Sequence, residues 1–203
     1  MSLTLDGAAV INSHVIAKLP GAAEIAVAAD IHVNCKDPDL YTDEFVHSLN
    51  IPGSPPALLE LKCGARYMIM RNLDQSRRLV NGTEVILVSM RAASLTVQTH
   101  DGKIAVIPRI NFVISPDDSG LPFVIHRRQF PLIPAYALTV HRVQGQSLKF
   151  LGLYMLGEVF CHGMLFTILS RVASWDKICV YHTDDVECVV KNLVRRDIVA
   201  HLL

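Results

Sequence analysis

The chain has 203 residues, 19 basic and 19 acidic, so its formal net charge is zero; 51% of it is hydrophobic. That composition can bury a core and excludes an intrinsically disordered chain, while the balanced charge gives no overall bias toward nucleic acid. Five cysteines are scattered without any C-x-x-C pair, so neither a zinc site nor a disulfide framework is indicated and no metal site is assigned. Reduced thiols fit an intracellular setting, nuclear or cytoplasmic. The first seven residues lack a basic region followed by an apolar core, so no signal peptide is expected. Apolar runs are broken by Pro, Lys or Glu before they reach membrane-spanning length, so no membrane partner is expected.

In chain order, residues 8–19 place apolar side chains at helical spacing and stop at Pro20-Gly21, which predicts a helix with a hard terminator. Residues 27–33 read as one short strand. The stretch 34–57 is rich in Asp, Asn, Pro and Gly, and predicts an ordered loop holding a short helix near 42–49 with Phe45 and Leu49 as anchors. A strand follows at 67–70. Asn81-Gly82 then separates 79–80 from 85–88, and Asp101-Gly102 separates 95–99 from 104–107. Both are hairpin signals, because such turns need positive φ. Short strands with tight turns predict a small β-barrel over 60–114.

Beyond Ser115-Pro116-Asp117-Asp118 the pattern returns to mixed α/β. A helix is predicted over 130–143, with Pro131 and Pro134 near its start and Gly145 as its left-handed cap. A strand over 150–155, a helix over 162–173, a strand over 177–181 and a final helix over 186–203 complete the chain. The expected organisation is an α/β domain formed by residues 1–59 and 115–203, interrupted by the barrel of 60–114.

Two segments are poor core-building material. In the first, Thr139, His141, Arg142 and Gln144 lead into Gly145-Gln146-Ser147. Hydroxyl, imidazole, guanidinium and amide all donate to phosphate oxygens, and Gly permits close backbone approach. Taken alone, the segment also reads as a polar helix end capped by Gly. In the second, Arg171 stands alone in the apolar run 165–172, where the simplest reading is a surface salt bridge on an amphipathic helix. Basic clusters at Arg77-Arg78, His126-Arg127-Arg128 and Arg195-Arg196 read most simply as solvated surface groups. No Gly-rich P-loop of the form G-x-x-x-x-G-K-[ST] occurs in the 203 residues.

Together these segments resemble the C-terminal half of PIF-one-like, superfamily-one DNA helicases, including the helicase region of Helitron-type rolling-circle transposons. The resemblance is carried, in order, by Ile11-Asn12, Leu19-Pro20-Gly21, Glu44-Phe45 and Ser48-Leu49, then by Leu61-Lys62-Cys63-Gly64-Ala65, Met70-Arg71-Asn72-Leu73-Asp74 and Asn81-Gly82-Thr83. It continues through Ile107-Pro108-Arg109-Ile110, Leu121-Pro122-Phe123 and Arg127-Arg128-Gln129-Phe130-Pro131. It closes on Gln144-Gly145-Gln146-Ser147, Gly152-Leu153-Tyr154, His162-Gly163 and Leu169-Ser170-Arg171-Val172. Nearly the whole chain is covered.

The resemblance implies a second RecA-like motor domain interrupted by a small barrel of the Src-homology-three kind, and ATP-driven 5′-to-3′ DNA unwinding. It implies that Arg171 is an arginine finger, that Gly145 and Gln146 approach the nucleotide phosphates, and that Thr139, His141, Arg142 and Gln144 grip single-stranded DNA. ATP and Mg²⁺ would be held only together with a missing first RecA-like domain, in cis or in trans, that bears the P-loop. A non-catalytic, transposon-derived remnant or accessory single-strand-binding protein is the alternative. The chain is expected to begin inside the second motor domain, without the strand that normally precedes the Ile11-Asn12 helix. It departs from the family pattern at Arg142-Val143 (usually Lys-Ser), at Cys161-His162-Gly163-Met164 (usually Ser-His-Gly-Gln) and at Ile168, where Ala is usual.

Overall fold

A computed structural model of the chain describes residues 2, 4–37, 40–140, 147–155 and 161–182. It separates into two compact units, Ser13–Tyr136 and Met1–Asn12 with Ala137–Leu203. The division falls inside helix α1 (Leu5–Lys18), which carries Asp6 in its first turn and Lys18 in its last, as the helix dipole favours. Pro20 and Gly21, the latter at φ +94°, follow its end.

In the larger unit the single strand expected over 27–33 is two strands, β1 (Glu24–Val27) and β2 (Ala29–Val33). They part at Ala28, whose N–H donates to Ala57 O at 2.7 Å. β1 pairs antiparallel with β3 (Leu58–Leu61). β2 pairs with β9 (Val124–Gln129), which also pairs with β8 (Ile110–Ile114), giving a three-stranded sheet of order β2-β9-β8; the one-turn helix α3 (Pro116–Ser119) lies between β8 and β9 in sequence. The short helix forms as expected: α2 (Asp43–Ser48) is N-capped by Thr42, whose side chain accepts from Phe45 N–H. Its buried anchor is Val46, fully enclosed, whereas Phe45 is 44% exposed; Leu49 packs partly against the same cluster of Ile51, Ile114, Phe123 and Ile125.

The second sheet has five strands in the order β10-β4-β5-β6-β7, from β4 (Arg66–Ile69), β5 (Glu84–Arg91), β6 (Ser94–Thr99), β7 (Ile104–Pro108) and β10 (Leu132–Pro134). Among the described residues no ladder joins β10 to β7, so this is an open sheet and not the closed barrel expected over 60–114. Hairpin signals specify neighbouring strands; closure depends on tilt and stagger accumulated across the whole sheet. β8 lies in the three-stranded sheet instead, and β10 comes from beyond residue 114.

The Asp101-Gly102 turn joins β6 and β7 as expected. Asn81-Gly82 also turns, with Gly82 at φ +88°, but no strand runs over 79–80. Gly82 N–H donates to Ile69 O at 2.8 Å and Ile69 N–H to Thr83 O at 2.9 Å, so the turn closes the long connection between β4 and β5. The hairpin between β5 and β6 turns at Ala92-Ala93, a pair with no turn signature.

The helix expected from residue 130 is replaced by the extended strand β10. Proline disfavours helical backbone in the residue before it, so Pro131 and Pro134 push Phe130 and Ile133 toward extended conformations. Pro134 lacks a ladder donor, which an edge strand tolerates.

Strand alternation divides the basic cluster at 126–128. His126 and Arg128 point outward, while Arg127 is fully buried, not a solvated surface group. Its guanidinium grips the equally buried Asp30 from Nε (3.0 Å) and Nη2 (2.7 Å), and Nη1 donates to Pro55 O at 3.1 Å. Lys62 is buried too, and its ammonium donates to Ile16 O in the last turn of α1, where the helix dipole favours a cation. Tyr67 is enclosed in the main core with Leu59, Leu87, Val97 and Phe130; its hydroxyl donates to Glu60 O and accepts from Lys62 N–H. Burial pushes its phenol up from 10.0 to about 12.

The smaller unit contains β11 (Leu151–Met155) paired in parallel with β12 (Ile178–His182), with α4 (Met164–Leu169) between them in sequence. This is a mixed α/β arrangement. The helix expected over 162–173 is only six residues long, entered through Gly163 at φ +73° and ended at Ser170. Met164 and Ile168 fill a core with Val140, Leu151, Leu153 and Met155. Ser2 makes parallel bridges to both Thr139 and Tyr154, and its N–H donates to Leu138 O, so a residue before α1 does occupy a strand-like place between them. The final helix expected over 186–203 lies outside the described residues. No helix among the described residues is long and apolar enough to cross a membrane.

Two outcomes follow for the larger unit. Asp30→Ala strands a buried guanidinium and is expected to cost about 3–5 kcal/mol in denaturant unfolding, while Asp30→Leu with Arg127→Met recovers most of that loss. Tyr67 stabilises the fold at pH values below the ordinary phenol range and loses that contribution as pH rises from 10.0 to about 12, because the unfolded chain ionises first. Tyr67→Phe should flatten this alkaline decline in a thermal-unfolding series.

Candidate functional site

Backbone ties in the smaller unit assemble the two segments singled out in the sequence. Leu148, just past Ser147, donates its N–H to Arg171 O at 2.7 Å and bridges Val172 in parallel. The end of the polar segment therefore lies beside the isolated arginine. At the other end, Asn12 of α1 holds Ala137 from both sides: Ala137 N–H donates to Asn12 Oδ1 (2.7 Å) and Asn12 Nδ2 donates to Ala137 O (2.9 Å). Two residues on, Thr139 sits in the parallel bridge with Ser2 and is buried.

Arg171 lies two residues beyond the end of α4, not within a helix, and is partly exposed. Its Nε donates to Thr167 O at 3.0 Å and its Nη2 to Ser170 Oγ at 3.0 Å. The guanidinium thus holds one carbonyl and one hydroxyl at the end of its own helix, a favourable place for a cation. Beside it is an apolar cavity of about 270 Å³ lined by Phe166, Leu169, Val172, Trp175 and Ile178. Phe166 and Trp175 on its rim are 76% and 75% exposed.

Of the sequence-predicted residues, Thr139 and Arg171 are placed by the structure. His141, Arg142, Gln144, Gly145 and Gln146 lie outside the described residues. Cys35, Cys63, Cys161 and Cys179 are free thiols. Sequence reasoning gave no role to Asn12, whose clamp on Ala137 needs a partner 125 positions away. Beyond its place in the Ile11-Asn12 motif, its signal was a polar residue on a helix, which is common on any solvated face.

Residues 44–90 match the family model described as DNA helicase Pif1, 2B domain. The chain is 30% identical over 182 residues to the ATP-dependent DNA helicase PIF1 of Homo sapiens, covering 88% of the chain and 26% of that protein. It is 34% identical over 116 residues to the Pif1 helicase of Bdellovibrio bacteriovorus, covering 57% of the chain and 26% of the relative. Among solved structures, Pif1 helicase from Bacteroides in complex with ADP-AlF3 and ssDNA superposes with a TM-score of 0.69 at 17% identity, over 100% of this chain and 43% of that one. Pif1 helicase from Candida albicans gives 0.69 at 21% identity, over 99% and 48%.

The fold is thus that of a mixed α/β helicase region. Sequence and fold together place the chain with the C-terminal half of PIF1-like DNA helicases. It spans about a quarter of the length of these curated relatives.

Asn12→Ala leaves the buried Ala137 N–H without its partner and should cost about 1–3 kcal/mol. Hydrogen exchange at the Ala137 amide is expected to accelerate correspondingly in the variant.

Proposed function

We propose that this chain acts as the second, RecA-like motor half of an ATP-dependent 5′-to-3′ DNA helicase. The observation that carries this reading is the backbone bridge from Leu148 to Arg171 and Val172, which sets the end of the 139–147 segment beside Arg171. In the proposal Arg171 is the arginine finger. Gly145 and Gln146 approach the nucleotide, and Thr139, His141, Arg142 and Gln144 hold single-stranded DNA. Support for nucleotide and strand binding comes from the Bacteroides Pif1 relative described with ADP-AlF3 and ssDNA.

A guanidinium suits the finger role because it stays charged and presents several N–H donors to phosphate oxygens. It would stabilise charge that develops on the transferred phosphoryl group, an effect worth about 10³–10⁵ in rate in related NTPases. ATP with Mg²⁺ would supply that group from a P-loop-bearing first RecA-like domain, in cis or in trans. Arg171 begins anchored on Thr167 and Ser170, so its part is to turn from its own helix end toward the phosphate. The anchors orient the guanidinium at the surface and keep it out of the apolar cavity beside it. A setting inside the cell fits this role.

The 203 residues contain no P-loop, so the purified chain alone is expected to show no ATP turnover. Joined to the first motor domain of a Pif1 relative, it should support DNA-stimulated hydrolysis. Arg171→Ala should then lower turnover by about 10³-fold or more while leaving strand affinity unchanged. Equal turnover in the variant would remove the finger assignment.

A further inference from the structure

Ser170 ties Arg171 to the end of α4 through a closed set of contacts. Arg171 Nε donates to Thr167 O at 3.0 Å, and its Nη2 donates to Ser170 Oγ at 3.0 Å. Ser170 Oγ in turn donates to the same Thr167 O at 3.1 Å. A hydroxyl has one proton and two lone pairs, so a proton committed to Thr167 O leaves lone pairs for the guanidinium. The accepting carbonyl is itself held in place. Thr167 N–H donates to Gly163 O at 2.9 Å, and Thr167 Oγ1 donates to the same oxygen at 3.0 Å. The next residue, Ile168, is fully buried in the core of the smaller unit.

Two acceptors achieve what one cannot. A guanidinium is a planar fork, and a single hydrogen bond leaves that plane free to turn. Bonds from both Nε and Nη2 fix it. A side chain that meets a phosphate from a fixed plane loses less rotamer freedom on contact than one that swings at large. Thr167 O is a backbone atom, present whatever residue stands at 167, so the second acceptor is the one that a side chain supplies. Ser170 is exposed, so truncating it leaves the core untouched.

We propose that Ser170 is a positioning residue, whose hydroxyl sets the plane from which Arg171 delivers its guanidinium to a nucleotide phosphate. This rests on the reading of Arg171 as an arginine finger, and adds to it the side chain that aims the finger.

The test compares Ser170→Ala with Ser170→Thr, which keeps the hydroxyl, with circular dichroism confirming the fold of each variant. In the 203-residue chain, heteronuclear relaxation of the Arg171 Nε–H, identified by its loss in Arg171→Lys, reports the anchor. Ser170→Ala should lower its order parameter, and Ser170→Thr should keep the wild-type value. In the chain joined to the first motor domain of a Pif1 relative, Ser170→Ala should lower kcat for DNA-stimulated ATP hydrolysis by about threefold to tenfold. KM for ATP should stay unchanged, because the lost contact serves the transition state, and Ser170→Thr should restore kcat. A wild-type order parameter in Ser170→Ala overturns the proposal, as does a Ser170→Thr variant as slow as Ser170→Ala. Wild-type kcat in Ser170→Ala, where Arg171→Ala has lost turnover, overturns it alone and leaves the finger reading standing. Wild-type turnover in Arg171→Ala removes the finger reading and this proposal with it.

Discussion

The hydrogen bond from Leu148 N–H to Arg171 O is the contact on which the proposed site depends. It joins two stretches that a linear chain keeps more than twenty residues apart, and it does so through backbone atoms, so it does not depend on which side chain stands at position 148. A parallel bridge requires both partners to be extended. That explains why α4 stops at Ser170 and leaves Arg171 in a turn with a half-exposed side chain. The core beneath, filled by Met164 and Ile168, supports the bridge with apolar packing.

A comparable economy governs the larger unit. One strand, β9, has Ile125, Arg127 and Gln129 turned inward and His126 and Arg128 turned outward. The inward guanidinium and Asp30 satisfy each other out of water, and Pro55 O takes a further donor. The pairing holds β2 against β9 by charge-assisted hydrogen bonds, and at the same time removes the carboxylate that would otherwise neutralise the outer face. Burial of one charge pair and the outward exposure of His126 and Arg128 are therefore consequences of a single period-two pattern.

Much of this was legible in the residues. Helical spacing ended by Pro20-Gly21 gave α1, the stretch near 42–49 with its anchor Leu49 gave α2, and Asp101-Gly102 gave the β6–β7 hairpin, because each depends on contacts within a few positions. The ordered motifs gave the kinship with PIF1-like helicases. The misreadings also have local causes. A run from 27 to 33 looks continuous, since nothing in it announces that Ala28 hands the chain from one sheet to another. Apolar residues from 130 onward look helical until β4 offers an edge for Leu132 to Pro134 to join. Asn81-Gly82 is a true turn at the wrong scale, closing a long excursion between β4 and β5.

The amino-acid sequence by itself determined where the backbone turns, which faces are apolar and which residue types can meet phosphate, because these follow from side-chain chemistry and short-range sterics. Only the tertiary structure decided that Arg127 is buried while Arg128 is not, that the five-stranded sheet stays open, that Asn12 clamps Ala137, and that Arg171 lies beside Leu148. Those outcomes depend on hydrogen-bond partners and strand neighbours brought together across 20 to 125 positions, as in the Asn12–Ala137 pair, and no local pattern encodes a partner at that separation.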